Sequence, residues 1–146
     1  MTTLLRMAIT STIALSLLAS ACGGAGGPRK VVVNQRVCGN VKFLRMNLGE
    51  TNRVILDNRE HSDDQAGMSV SLAKFPVVVK GPVPEGSKID SPFSTIKLHA
   101  APGEQTSVDL EPTFSGTYNG TCNVTLTKPN GAGQQVIQKG LSFELK

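Results

Sequence analysis

From Val31 to the C-terminus, apolar residues recur at every second position more consistently than at any helical spacing. A period of two puts alternate side chains on opposite faces of an extended strand, and it excludes an amphipathic helix over the same stretch. Val31-Val32-Val33 opens a β-branched run to Val37. Phe43, Leu44, Met46 and Leu48 follow, then Gly49-Glu50 as a turn. Val54 and Leu56 alternate up to Asp57-Asn58. Met68, Val70 and Leu72 share a face, and Phe75, Val77 and Val79 form the next run, interrupted by Pro76. A proline there places the run at a sheet edge or a bulge. Residues 81–94 hold three prolines and two glycines and read as a loop with room for a helical turn. Ile96 with Leu98, and Val108 with Leu110, flank the Pro102-Gly103 turn. Tyr118, Cys122, Val124 and Leu126 share a face. Pro129-Asn130-Gly131 turns the chain, and Leu141, Phe143 and Leu145 close it. The expected fold is an all-β, two-sheet sandwich of seven to nine strands with one core, over residues 31–146.

The beginning of the chain reads differently. Arg6 precedes an uncharged run from Met7 to Ala21, too short to cross a bilayer as a helix but suited to an export signal. The run ends in Leu17-Leu18-Ala19-Ser20-Ala21-Cys22, which resembles the lipobox of bacterial lipoproteins. The resemblance implies removal of residues 1–21 and acylation of Cys22. It departs from the commoner pattern at Ala19, where Leu is usual. Residues 22–30 are then a lipidated cysteine and a Gly-rich tether, whose residues 23–30 span about 27 Å when extended. Two or three acyl chains hold a protein firmly to a membrane, which one chain does not. The expected place is the outer face of the cytoplasmic membrane, or the outer membrane where the host has one, since residue 23 is Gly rather than Asp. Arg29 and Lys30 beside the anchor favour anionic lipid, or simply form a solvated linker end.

Within the sandwich, Pro102-Gly103-Glu104, Ser107-Val108-Asp109-Leu110 and Gly116-Thr117-Tyr118-Asn119-Gly120-Thr121-Cys122 resemble the closing half of a plastocyanin-type cupredoxin. Leu44 to Asn58 is similar to that family's opening hairpin. Gly131-Ala132-Gly133 with Gly140 is similar to its last loop, and Leu141 to Leu145 to its last strand. The resemblance implies a cupredoxin-like Greek-key sandwich. It does not extend to the copper chemistry. A blue-copper site takes two imidazoles, a thiolate and a weak axial thioether. No His or Met follows Cys122, Gln134 stands near the axial position, and Met68 falls where the remaining His belongs. No metal and no cofactor are expected.

Three cysteines allow a simple division. With Cys22 acylated, Cys38 and Cys122 remain, both on expected strand positions of an exported domain. One bridge between them is the simplest reading, with two buried thiols or a redox dithiol as the alternatives. For catalysis there is no nucleophile motif and no phosphate loop, and the two histidines are His61 and His99. No catalytic residue is assigned, and no small-molecule substrate is evident. A net charge of +4 with no Trp and one Tyr gives no nucleic-acid surface. Two functions follow. One is a membrane-anchored structural or interaction module, an accessory part of an envelope or of a respiratory or photosynthetic membrane complex. The other is a periplasmic copper-handling or redox protein using His61, Met68, His99 or Cys122.

Overall fold

The computed structural model describes residues 27–40 and 43–146. The expected export signal, Cys22 and most of the expected tether lie outside the described residues. The alternation seen in the sequence is realised as nine strands: β1 (Arg29–Val33), β2 (Leu44–Met46), β3 (Asn52–Asp57), β4 (Gln65–Phe75), β5 (Val77–Lys80), β6 (Ser94–Ala100), β7 (Gln105–Pro112), β8 (Gly116–Thr127) and β9 (Gln134–Leu145). They form an all-β sandwich, with a four-stranded sheet in the order β1-β3-β7-β5 and a five-stranded sheet in the order β2-β9-β8-β4-β6. Both sheets are mixed, because β1 runs parallel to β3 and β2 parallel to β9.

Burial follows the period of two. In β3, Asn52, Val54 and Leu56 point inward, and in β6 Ile96, Leu98 and Ala100 do the same. The inward faces of the two sheets meet in one core, whose largest fully buried side chains include Phe75, Phe143, Met46 and Met68. Phe75 packs edge-on against Phe143 at 5.2 Å and tilted against Tyr118 at 5.6 Å. The close approach of β8 to β4 requires Gly120, since a Cβ there would sit 2.8 Å from Leu72 Cδ2 and 3.2 Å from the Ser71 carbonyl oxygen.

Several connections depart from the expected layout. The first strand begins at Arg29, inside the expected tether, because Arg29 and Lys30 already pair with Asn52 and Arg53. It stops at Val33 instead of running to Val37. Asn34 turns the chain by accepting the Val37 and Cys38 amide hydrogens on its carbonyl oxygen, and the Val37 amide also on its side chain. Cys38 therefore lies in a turn and not on a strand. Gly49-Glu50 does not close a hairpin: β2 and β3 belong to opposite sheets. Asn52 forms this corner, accepting from the Asn47 amide and donating to the Asn47 and Glu50 carbonyls. Gly140 lies within β9, opposite Thr121, so the last loop is only the short turn around Pro129–Gly131. Residues 81–93 contain no helical turn and make a single bridge, Lys88 to Thr95.

Pro76 marks the crossing between sheets. The β4–β6 register shifts between Leu72 and Phe75, and Lys74 adopts a positive φ of 53°. That local twist brings Phe75 into the core. Pro76, with no N–H to give a ladder, then leads into β5 at the edge of the other sheet.

Cys38 and Cys122 are joined in a disulfide, with Cα atoms 5.8 Å apart. Cys122 is in the middle of the five-stranded sheet, opposite Val70 of β4 and Lys139 of β9. The bridge thus ties the turn after the first edge strand to a central strand.

Candidate functional site

An apolar groove of about 460 Å3 runs along β5, at the free edge of the four-stranded sheet. Val77, Val78 and Val79 form one side. Ile89 and Pro92, from the long connection to β6, and Phe114, from the β7–β8 turn, also line the groove. Phe93 stacks on Phe114 with ring centroids 6.2 Å apart. Val78, Ile89, Phe93 and Phe114 are each about half exposed, although an unassociated domain gains nothing by presenting them to water. Hydrogen bonds hold both rims. Ser94 Oγ donates to the Asp90 carbonyl at 3.2 Å, and the Thr113 amide and hydroxyl both donate to the Pro76 carbonyl.

The structure separates the residues considered for metal or redox work. Met68 is fully buried in the core, and the Cys122 sulfur is committed to the disulfide. That removes Cys122 as a free thiol. His99 lies on the outer face of β6, its ring over Gly67, while exposed His61 lies near Gly103. Among the described residues, no three His, Cys, Asp or Glu side chains cluster as a metal site. Gln134 pairs with Thr127 on the exposed part of the β8–β9 hairpin, which continues without a break through Cys122. Strand thus occupies the place of a blue-copper ligand loop.

The polar interior is satisfied internally. Buried Gln65 donates to Asn58 Oδ1 at 2.7 Å and accepts from the Gln35 side chain, while Asn58 Nδ2 donates to the Ala100 carbonyl at 3.1 Å. This amide chain connects the ends of β3, β4 and β6 with the turn after β1. Replacing Asn58 by Ala strands the partner groups on Gln65 and Ala100 away from water. Urea unfolding of the Asn58→Ala variant is expected to show a loss of about 1–3 kcal/mol with an unchanged slope. A midpoint equal to the parent's would mean the amide chain contributes nothing. Outside the core, hydrogen bonds from Arg59 hold the Asp57 carboxyl down at about 2, and Arg53 lowers Asp109 in the same way. Neither carboxylate retains a proton near neutral pH, so neither acts as a general acid.

No protein-family model matches the chain, and no curated protein matches it in sequence. Two solved structures share a faint likeness. The solution structure of Amebosin is 16% identical, with a TM-score of 0.29, covering 82% of this chain and 100% of that one. The seventh ASH/PapD-like domain of human CEP192 is 17% identical, with a TM-score of 0.27, covering 97% of each chain. Likeness at this level carries no argument about function.

The groove escaped the sequence reading. Its parts come from three stretches, and each looks ordinary alone. The available signal was the unbroken Val77-Val78-Val79, in which the outward Val78 breaks the alternation of apolar and polar residues.

Proposed function

We propose that the chain is a bacterial lipoprotein, anchored through acylated Cys22, whose copper-free, cupredoxin-like sandwich serves as an interaction module for a protein complex of the cell envelope. An accessory subunit of a respiratory or photosynthetic membrane complex is the type of role meant. The lipobox-like Leu18-Ala19-Ser20-Ala21-Cys22 supports the anchor. The apolar groove carries the interaction reading. It combines four half-exposed apolar side chains with an unpaired sheet edge, and its chemistry is that of a docking surface. Its position suits a tethered domain. The sheet order β1-β3-β7-β5 puts the strand that continues from the tether at one edge and the groove at the other. A domain held by its β1 side leaves the β5 side open to a neighbour.

Fractionation and detergent extraction test both halves. The full-length chain is expected in the membrane fraction, and Cys22→Ala is expected to lose acyl labelling and leave it. From solubilised membranes the parent is expected to bring down an envelope protein that Phe114→Asp does not. Membrane retention of Cys22→Ala would reject the anchor. A solitary, monodisperse protein in every preparation would reject the module.

A further inference from the structure

We infer that β5 accepts an extended apolar segment of a partner protein as an additional strand of the four-stranded sheet, with the partner's side chains in the groove; this rests on the docking reading above and specifies its form. The hydrogen-bonding phase of β5 is the first argument. The Thr113 amide donates to the Pro76 carbonyl, and Val77 stands opposite Pro112, which has no N–H. Residues alternate along an antiparallel ladder, so Val78 and Lys80 turn their main-chain groups toward β7. The N–H and C=O of Val77 and Val79 then point to the open edge, and both residues line the groove. An apolar small molecule would fill the groove but leave these donors and acceptors unused. An extended peptide satisfies both.

The other sheet edges are the second argument. Proteins protect free edges with charge, shortness or cover. The outermost strand β1 carries Arg29 and Lys30, β2 is three residues long with Arg45 at its centre, and β6 exposes Lys97 and His99 and is bridged by Lys88. In β5 the only charge is Lys80, which is paired with Glu111 at 2.9 Å. Arg45 is likewise paired, with Glu144 at 2.9 Å, so what distinguishes β5 is the apolar wall beside its edge. Ile89 and Pro92 stand beside it, so it lies within a groove and accommodates a lone strand better than the edge of a second folded copy.

The test uses full-length protein in detergent and the peptide Lys-Val-Thr-Val-Thr-Val-Lys-amide labelled with fluorescein at its N-terminus. The free protein is expected to exchange the Val77 and Val79 amide hydrogens rapidly, and saturating peptide is expected to protect both. Val79→Pro removes one edge donor at a place where an edge strand tolerates proline, and is expected to weaken the peptide about tenfold. Phe114→Asp is expected to weaken it at least as much. Four results would each overturn strand addition: no binding at about 1 mM peptide, binding without protection of these amides, unchanged affinity in Val79→Pro, or protection that arises from self-association alone. If the envelope partner is lost with Phe114→Asp but retained by Val79→Pro, docking stands and strand addition falls.

Discussion

Replacing Cys38 and Cys122 together by alanine is expected to lower the melting midpoint by about 10–20 °C. The bridge closes a separation of 84 residues. In the chain-entropy view, a loop of that size restricts the unfolded chain by up to about 4.6 kcal/mol. Its position adds a local effect. The four-stranded sheet holds β1 only through β3, and the turn after β1 is bound chiefly by Asn34 and by the Gly39 amide on the Gly140 carbonyl. The disulfide anchors this segment to β8, which is paired on both sides by β4 and β9. Alanine is the suitable replacement because Cys122 is fully buried and a serine hydroxyl would add a separate desolvation penalty there. Thermal melts of the parent and the double variant measure the effect, and hydrogen exchange locates it. Amides of β1 are expected to lose protection before those of β8. A midpoint within about 2 °C of the parent would show that the bridge adds little beyond the packed core.

The disulfide was legible in the sequence as arithmetic: two cysteines left over in a domain expected to be exported. Its geometry was not, since Cys38 proved to lie in a turn set by Asn34. Strand positions were legible for a stronger reason. Each inward residue of the Met68, Val70, Leu72 and Leu141, Phe143, Leu145 sets is buried, so the periodicity reports a two-sided environment directly. What periodicity does not report is which sheet a strand joins. Gly49-Glu50 looks like a hairpin turn, yet Asn52 bends the chain across to the opposite sheet through three side-chain hydrogen bonds at this corner. The same gap hid the groove. Phe114 lines one groove with Val78 and Ile89 only because Pro76 carries the chain from β4 to β5 and residues 81–93 carry it back.

Phe75 is where that crossing depends on the core, and Phe75→Ala is expected to destabilise the protein by about 3–5 kcal/mol. The ring is fully buried and makes an edge-on contact with Phe143 and a tilted one with Tyr118, joining β4, β8 and β9. Truncation removes its transfer free energy and leaves a cavity that the backbone is poorly placed to fill, because Pro76 and the Lys74 bulge fix the chain on either side. Phe93→Ala deletes the same group where it is about half exposed and stacked on Phe114, so its expected effect is below about 1 kcal/mol. Denaturant midpoints of the two variants compare core and surface for one residue type. Since total stabilities of such domains are about 5–15 kcal/mol, the Phe75 variant is expected to lose a large share of its margin. A Phe75→Ala loss below about 1 kcal/mol would mean that the aromatic cluster does not support the crossing. The β5 edge would then be held by its pairing with β7 and by the Thr113 hydrogen bonds to Pro76 alone.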